Sequence, residues 1–472
     1  MDQDVSDQKD VLATATGGEG ASVDADIVAR AIRDCLREND SESVKIFLSD
    51  QHPADIAHII DALPREEAGR TFRLLPLESR ARVLGYLDMD VQVDFAHALG
   101  RREFADIVTE MSSDERADLF NRLSPGQQEA LLPALAQAER EDIRRLAAYA
   151  EGTIGALMTS DYAMLTPDVS AREALDRLRL QAPDKETIYR AYVVDPERRL
   201  IGSVRLQELI LASPGTSIAD LMERYPRSVL VNDDQEIAAR EIAKYDVLAL
   251  PVVDGEGHLV GIVTHDDAMD VVEQEATEDF HKHGTVGTIV TSLKDASIGL
   301  LYRKRIMWLV LLVFGNLFSG AGIAYYEDTI AAYVALVFFL PLLIGSGGNA
   351  GSQASTLMVR ALATGDVGLR DWANVLGREV LVATALGGTM AVAVSAIGFV
   401  RGGPEIAFVV AASMVMIVMV GSIIGMSLPF LFSRFNMDPA AASAPLVTVI
   451  ADAVGVIIYF SIATTFLDIP AM

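Results

Sequence analysis

Five long apolar stretches occupy most of the last third of this 472-residue chain. Each reaches the roughly 20 residues that an α-helix needs to cross a bilayer core of about 30 Å. In lipid a spanning segment must satisfy its own backbone hydrogen bonds, and a helix does so within one segment. The sequence therefore predicts a five-helix transmembrane domain within residues 301–472, with spans near 306–326, 330–355, 379–400, 405–432 and 442–467.

Basic residues between these stretches orient them in the membrane. One side carries Arg303, Lys304 and Arg305 before the first span, then Arg360, Arg370, Arg378 and Arg434, whereas the other side carries Arg401. Since cytoplasmic loops carry the excess of Lys and Arg, we expect the N-terminal half to be cytoplasmic and the C-terminus to lie outside. The first ten residues have no basic and apolar signal-peptide pattern. We therefore expect a multi-pass protein of the cell (inner) membrane, in contact with membrane lipid.

Charge divides the chain into two parts. Residues 1–300 hold 57 Asp and Glu against 31 Lys and Arg, and residues 301–472 hold 9 against 8. A basic surface of the kind that binds nucleic acid is not expected. The one cysteine, Cys35, excludes an intrachain disulfide and a cysteine-based metal cluster.

The second span contains residues that a lipid-facing helix does not favour. Residues 341–366 carry Gly345, Gly347, Gly348 and Gly351, together with the polar residues Asn349, Ser352, Gln353 and Thr356. Polar groups at membrane depth must be buried in protein or line a water-filled path. This segment predicts that the chain moves something polar across the membrane.

Two carboxylates mark the fifth span. Asp438 lies at its cytoplasmic edge, but Asp452 lies well inside, where a charge costs roughly 2.5–3.5 kcal/mol. A protonated structural Asp remains open as an alternative to a cation site. We expect Pro445 to disturb the helix and free a carbonyl toward a pore. One Asp per chain is a weak filter, so the cation site predicts a homodimer with an axial pore.

The cytoplasmic half begins with a polar segment, residues 1–24, which we expect to be disordered. Residues 25–150 read as short amphipathic helices separated by Pro or polar caps, which suggests a superhelical α-domain. A plain scaffold and a regulatory domain are both open.

An internal repeat of period 59 follows. AYVVDPERRLIGSVRL (191–206) aligns with LPVVDGEGHLVGIVTH (250–265), and each copy reads as strand, turn and strand after an amphipathic helix. This resembles a tandem pair of CBS domains, a βαββα module used twice, which we place at 151–214 and 215–264. Thr264 and Asp267 fall where some CBS domains contact a nucleotide, whereas the first copy has Arg205 and Glu208 there.

An acidic connector follows the repeat. Residues 265–279 hold seven carboxylates and no Lys or Arg, and we expect a helix over residues 265–300. A solvated charged helix is one interpretation. The lack of basic residues for i,i+4 pairing favours the other, in which Mg²⁺ bridges these carboxylates to acids elsewhere.

The whole pattern from about residue 25 to the end resembles the MgtE family of magnesium channels and transporters. The resemblance implies a multidomain membrane protein with a helical N domain, an α/β CBS pair, a plug helix and five membrane helices, working as a homodimer. Its specific motifs are the glycine-rich second span, the DPAAASAP segment at 438–445 with Asp452, and the EATED segment at 275–279.

The resemblance implies roles for individual residues. Asp452 would contribute to the pore cation site with Asp438 nearby, and the pore would be lined by Gly348, Asn349, Gln353, Thr356 and Pro445. Cytosolic Mg²⁺ would bind acids of the plug, the CBS pair and the N domain and hold the pore shut: Asp267, Asp270, Glu275, Glu278, Asp279, Glu236, Asp246, Asp114 and Asp118. ATP is left open as a ligand of the CBS pair. Ser352, Ala156 and Thr448-Val449 depart from the family's usual residues.

The leading hypothesis is a Mg²⁺ channel or transporter that mediates Mg²⁺ uptake, driven by the membrane potential and closed by cytosolic Mg²⁺. It is not an enzyme on this interpretation. One alternative is a transporter tuned to another divalent ion, such as Co²⁺ or Mn²⁺. A second is a membrane-anchored nucleotide or metal sensor. A third is an intramembrane aspartyl enzyme, which would require a second carboxylate at membrane depth.

Overall fold

The computed structural model describes residues 25–284, 296–435 and 437–467. The predicted disordered tail, residues 1–24, lies outside the described residues. The chain divides into two compact units, residues 1–272 and 273–472.

The first unit begins with a series of short helices. Pro64 and Pro76 directly precede two of them, and Pro53 and Pro125 occupy the first helical position of two others, where a missing N–H is harmless. Fully buried Ile32, Phe72, Leu84 and Ile107 belong to one core that runs through the series. The helices are α1 (Ala25–Arg37), α2 (Ser41–Ser49), α3 (Pro53–Asp61), α4 (Arg65–Arg73), α5 (Leu77–Tyr86), α6 (Met89–Ala98), α7 (Arg101–Thr109), α8 (Ser113–Arg122), α9 (Pro125–Leu131) and α10 (Gln137–Leu146), with a 3₁₀ turn at Leu132–Ala134.

Two small sheets with matching topology follow. In each, a parallel strand pair is extended by an antiparallel hairpin. The elements are α11 (Ile154–Leu157), β1 (Tyr162–Leu165), α12 (Ala171–Gln181), a 3₁₀ turn (Ala182–Asp184), β2 (Thr187–Val194), β3 (Leu200–Arg205), α13 (Leu206–Leu211), α14 (Ile218–Leu221), β4 (Glu223–Arg224), β5 (Val229–Leu230), α15 (Gln235–Tyr245), β6 (Ala249–Val253) and β7 (Leu259–Thr264).

The strand register confirms the repeat. Val193 pairs with Gly202, and Val252 pairs with Gly261, each 59 residues later. Both hairpins also carry a register irregularity directly after these valines. The tandem CBS architecture expected from the sequence is therefore present, with equivalent hairpins in the two copies, although the first sheet has an additional short fourth strand, Glu223–Arg224.

The helical domain packs directly on the second sheet's module. Ala117 of α8 and Leu146 of α10 belong to the same buried cluster as Ile154, Val252 and Val263. After β7 the chain enters α16 (His265–His283), the helix that carries the acidic connector.

The second unit contains the predicted spans. They form α17 (Ile298–Tyr325), a short α18 (Glu327–Ala332), α19 (Ala335–Ala363), a 3₁₀ turn (Leu369–Asp371), α20 (Trp372–Arg434), a 3₁₀ turn (Pro439–Ala441) and α21 (Ala444–Phe466). Helices α17, α19, α20 and α21 are long and apolar enough to cross a membrane.

The long helix α20 comprises two spans joined by a break. Gly403 has φ 80° and ψ −172°, a conformation that favours glycine, and Pro404 follows it. The halves fold back on each other, because a Cβ on Gly398 would lie 2.9 Å from the Cα of Ala407, and one on Gly387 would lie 2.9 Å from the Cα of Val415. The structure thus gives the five spans that hydropathy predicts.

Glycines set the closest contacts between spans. Gly347 and Gly351 of α19 face Gly421 and Gly425 of α20, and a Cβ on Gly421 would lie 2.3 Å from the carbonyl oxygen of Gly347. Both pairs have the small-xxx-small spacing that lets membrane helices approach closely. These glycines therefore fix α19 against the second half of α20.

Candidate functional site

Five carboxylates of the first unit form an acid cluster: Asp114, Glu115, Asp118, Glu186 and Asp267. Asp114, Glu115 and Asp267 are half-buried, whereas Asp118 and Glu186 are exposed at its edge. Helix α8 supplies three of them, and Asp114 and Asp118 share one face because they are four residues apart. Glu186 precedes β2, and Asp267 lies in the first turn of α16. The helical domain, the first CBS module and the connector thus each contribute acids to one region.

The electrostatics of the acid cluster show how close these groups are. The pKa of Asp114 is raised to about 7, mainly by burial and in part by the charges of Glu186 and Asp118. Burial likewise raises the pKa of Asp267 to about 7, with Asp114 as the next cause. The pKa of Asp118 rises to about 6 and that of Glu186 to about 6, again through burial first and the Asp267 charge as a further cause. Like charges in a desolvated place favour either protonation or a bound cation.

Glu115 occupies a special position in the acid cluster. A Cβ on Gly85 of α5 would lie 2.1 Å from the Oε1 atom of Glu115, so the missing side chain of Gly85 makes room for this carboxylate. Burial raises the pKa of Glu115 to about 8, with the charge of Asp114 as the next cause.

The Asp114 side chain is incompletely satisfied. Its Oδ1 atom is buried and has no hydrogen-bond partner among the described residues. Within the described part of the chain, no three His, Cys, Asp or Glu side chains already stand close enough to hold a metal ion. Mg²⁺ usually binds through one or two carboxylates and keeps several waters. The acid cluster fits such a hydrated ion better than a fully dehydrated one.

A polar network beside the acid cluster holds α8 against the first CBS module. The hydroxyls of Ser113 and Thr159 lie 2.9 Å apart, and the backbone N–H of Ser160 donates to Ser113 Oγ at 2.8 Å. Ser160 Oγ donates in turn to Asp142 of α10 at 2.9 Å. Arg116 lies 4.0 Å from both Asp142 and Asp161. These contacts fix the first turn of α8, which also carries Asp114 and Glu115, against the start of the CBS pair.

Other predicted cytoplasmic acids lie elsewhere. Glu236 is in the first turn of α15 and Asp246 follows its last residue, so the helix separates them by roughly 15 Å. Asp270, Glu275, Glu278 and Asp279 lie along α16 beyond Asp267. In one chain the structure brings Asp114, Asp118 and Asp267 together, and it does not bring Glu236 and Asp246 together.

Thr264 and Asp267 contact each other. The Thr264 hydroxyl donates to Asp267 Oδ2 at 2.5 Å, at the junction of β7 and α16. Asp267 therefore belongs both to this turn and to the acid cluster. Nucleotide binding by this pair remains a prediction.

In the membrane half, Asp452 lies against the glycine-rich helix. A Cβ on Gly348 of α19 would lie 3.4 Å from Asp452 Oδ1 and 2.9 Å from Thr448 Cγ2. The Asp452 side chain is half-buried, and its Oδ1 has no hydrogen-bond partner among the described residues. Gly348 thus gives the carboxylate direct access to the backbone of α19.

Helix α19 also carries an exposed polar stripe. Gly345, Asn349, Gln353 and Thr356 are spaced three or four residues apart and are all exposed. Lipid does not satisfy Asn and Gln side chains at membrane depth. This stripe therefore needs water or another protein surface against it.

The expectation for Pro445 was wrong in one respect. Pro445 is the second residue of α21, in the first turn, where proline does not interrupt helical hydrogen bonds. Proline there frees no carbonyl, because the unpaired backbone groups of a helix start are N–H groups and proline has none. A pore-lining role for Pro445 remains a prediction.

Sequence reasoning did not find Glu115, Glu186 or Lys282. Glu115 follows Asp114 directly, so its position in an acidic helix start was a usable signal. Glu186 lies between a 3₁₀ turn and a strand, outside any motif. Lys282 ends the acidic connector, and its partner Asp438 is 156 residues away in sequence.

Comparison with known proteins agrees with this organisation. Three family models match: a divalent cation transporter domain (MgtE) over residues 340–462, the MgtE intracellular N domain over 51–152, and CBS domains over 154–215 and 218–274.

Curated relatives match over nearly their full length. A magnesium transporter MgtE from Thermus thermophilus is 38% identical over 93% of this chain and 99% of that protein. One from Bacillus subtilis is 32% identical over 92% of this chain and 96% of that protein. A solved structure, described as the cytosolic domain of the Mg²⁺ channel MgtE in complex with ATP, is 37% identical. It covers 52% of this chain and 99% of that one, with a TM-score of 0.50.

The identity, the coverage and the matching domain order agree with the membrane-length helices of the second unit. The helical N domain, the CBS pair and the membrane region are those that the sequence motifs indicate. This integral membrane protein belongs to the MgtE family of divalent cation transporters.

Proposed function

We propose that this chain is a Mg²⁺ channel or transporter that mediates Mg²⁺ uptake across the cell membrane and is closed by cytosolic Mg²⁺. The observation that carries the proposal is the position of Asp452 against Gly348 of α19, the helix that also bears the exposed polar stripe. Together they offer a carboxylate from α21, and amides and a hydroxyl from α19, on two neighbouring membrane helices. Hydrated dications are attracted by such oxygen-rich surfaces.

The pore is proposed to lie between two copies of the chain. Each chain supplies one carboxylate at membrane depth, and two related by an axis would present two negative charges to one dication. The stripe formed by Gly345, Asn349, Gln353 and Thr356 is exposed in one chain, with His283 against its Thr356 end, and this fits a path shared with a second copy. In this arrangement the N-terminal domains are cytoplasmic and the C-terminus is outside. The membrane potential supplies about 4.6 kcal/mol per 100 mV for a dication, without ATP hydrolysis.

The acid cluster is proposed as the regulatory sensor. Mg²⁺ bound there would stabilise the contact of α8 with the start of α16, because it neutralises carboxylates that repel one another when ionised. We also propose further Mg²⁺ ligands outside the acid cluster. They are Asp270, Glu275, Glu278 and Asp279 on α16, and Glu236 and Asp246 on the second CBS module. Several ions that favour one state shift its population steeply.

ATP is a second proposed ligand of the CBS pair. The support is the likeness to a cytosolic domain solved in complex with ATP and the position of Thr264 and Asp267 at the β7–α16 junction. Equilibrium dialysis with ATP, against a Thr264→Val variant, tests this point separately from transport.

A flux assay tests the main proposal. Purified protein is reconstituted into liposomes that contain a Mg²⁺ indicator, and uptake is measured under an inside-negative potential. We expect Mg²⁺ uptake that protein-free liposomes lack. The same assay with Mn²⁺, Co²⁺, Ni²⁺ and Ca²⁺ ranks the ions, and uptake of Co²⁺ or Mn²⁺ without Mg²⁺ would replace the assigned cargo.

A further inference from the structure

Lys282 stands between two carboxylates in the second unit. Its ammonium group donates to Asp438 Oδ2 at 2.5 Å and lies 2.5 Å from Glu278 Oε1. Glu278 precedes it by one turn of α16, whereas Asp438 lies just before the fifth span. The ammonium therefore joins the connector helix to the cytoplasmic edge of the membrane helices.

The contact is partly protected from water. The side chains of Lys282, Glu278 and Asp438 are 31%, 37% and 37% exposed. Burial disfavours the charged ammonium, but the hydrogen bonds to Asp438 and Glu278 outweigh it and raise the pKa of Lys282 above its usual range. Lys282 is thus charged at any physiological pH.

Asp438 divides its two oxygens between two tasks. Its Oδ1 accepts a hydrogen bond from the backbone N–H of Ala440 at 2.8 Å and so caps the 3₁₀ turn that leads into α21. Its Oδ2 accepts from Lys282. Loss of the Lys282 contact would therefore affect the same carboxylate that caps the turn before α21, the helix that carries Asp452.

The next residue of the connector makes a second contact. His283 Nε2 lies 2.9 Å from the hydroxyl of Thr356, a member of the exposed stripe on α19. The end of α16 thus touches both membrane segments that line the proposed path.

We infer that Lys282 is a built-in cation that latches the connector onto Asp438 and holds the pore shut, without requiring a metal ion at that point. The inference rests on the proposed function, in which the connector closes the pore when Mg²⁺ is high. In the latched state Lys282 neutralises Asp438 and shares Glu278 with any Mg²⁺ bound along α16. Release of α16 frees Asp438 at the cytoplasmic end of the path.

A competing role for Lys282 predicts the opposite sign. If the ammonium merely repelled Mg²⁺ from Glu278 and Asp438, its removal would open a metal site and make closure more sensitive to Mg²⁺. If it is a latch, its removal makes closure less sensitive. The direction of the change therefore separates the two roles.

The test is current through reconstituted full-length protein in excised patches, as cytosolic Mg²⁺ is titrated. We expect Lys282→Gln to raise the half-inhibitory Mg²⁺ concentration by about threefold to tenfold, in line with a partly exposed ion pair. Lys282→Arg should restore closure to within about twofold of wild type, because it keeps the charge. Lys45→Gln, the same change at an exposed site in α2, serves as the matched control and should leave the curve unchanged.

A double-mutant cycle identifies the partner. Asp438→Asn keeps an oxygen for the Ala440 cap but removes the charge, and it should shift inhibition in the same direction as Lys282→Gln. The double variant should shift no further than the larger single change, because both remove one contact. Fully additive shifts, an unchanged Lys282→Gln curve or a leftward shift would each overturn the latch. Absence of Mg²⁺ inhibition in the wild type would instead refute the proposed gating, so the two failures are distinguishable.

Discussion

The acid cluster and the surroundings of Asp452 differ in how many carboxylates they bring together. The acid cluster gathers five carboxylates from the helical domain, the first CBS module and α16, all within one chain. The membrane half instead places Asp452 against Gly348, in a set of helices packed through glycine. The acid cluster is crowded with like charges. Asp452, in contrast, is a single carboxylate against a helix that bears an exposed polar stripe.

Under the proposed function, the two regions would use a cation in two different ways. In the acid cluster a bound cation relieves repulsion between domains, so binding is linked to their contact. At Asp452 a cation would meet few ligands and could leave again, which conduction requires. Cation binding that is strongly linked to domain contact is suited to sensing Mg²⁺. Cation binding that depends little on the protein conformation is suited to conducting it.

Asp452 gives the largest predicted effect. Asp452→Asn should lower Mg²⁺ flux in proteoliposomes to about one tenth or less, since losing a charged partner costs roughly 1.5–3 kcal/mol. The protein should remain folded, because the Asp452 Oδ1 makes no hydrogen bond among the described residues. Asp366→Asn, an exposed acid after α19, is the control and should conduct normally. Normal Mg²⁺ flux in the Asp452→Asn variant would show that Asp452 is not part of the ion pathway.

Glycine packing gives the next effect, on stability. A Cβ on Gly425 would meet the carbonyl oxygen of Gly351 at 1.9 Å, whereas one on Gly320 would meet nothing within 4 Å. Gly425→Ala should therefore destabilise the detergent-solubilised protein by about 1–3 kcal/mol, and Gly320→Ala should not. Thermal unfolding of the two alanine variants checks this. Equal stability would contradict the close α19–α20 approach.

The acid cluster gives a smaller, ligand-dependent effect. Mg²⁺ at ten times its dissociation constant should stabilise the wild-type protein by about 1.4 kcal/mol for one site. Asp114→Asn combined with Asp267→Asn should raise stability in EDTA, because repulsion is relieved, and should reduce the gain from Mg²⁺. Glu197→Gln, an exposed acid in a turn, controls for net charge. An undiminished Mg²⁺ gain in the double variant would move the sensor elsewhere.

The pH dependence should be the smallest effect. Burial, together with the neighbouring carboxylates, raises the pKa of Asp114 and Asp267 to about 7 from the ordinary aspartate value of 3.8, so folding favours their protonated forms. Their contribution is fully present below about pH 4 and is lost as the pH rises through 7. In EDTA the melting temperature should fall over this window more steeply in the wild type than in the Asp114→Asn, Asp267→Asn variant. Identical slopes would argue against the acid cluster.

The sequence predicted the architecture because its signals are local. The period-59 repeat appears as matching registers at Val193–Gly202 and Val252–Gly261, and apolar length identified the spans. The break between the third and fourth spans follows from Gly403 and Pro404, where a left-handed glycine and a proline interrupt a long apolar run.

The site was predicted less completely because its contacts are distant in sequence. Asp114 and Asp267 were selected by type and resemblance, but Glu186 joins them only through the folding of the CBS module. Lys282 and Asp438 lie 156 residues apart, and no spacing rule relates them. The expected kink at Pro445 failed because the helix begins at Ala444, a boundary that an apolar run does not define.

The most direct measurement is Mg²⁺ current in excised patches during a cytosolic Mg²⁺ titration, with wild type and the triple variant Asp114→Asn, Asp118→Asn, Asp267→Asn compared side by side. Separate regions for sensing and conduction predict a wild-type current that falls as cytosolic Mg²⁺ reaches millimolar levels. They also predict a triple-variant current of normal size that persists. A triple variant that is still inhibited like wild type, or that carries no current, would contradict the division of the molecule into a sensor and a path.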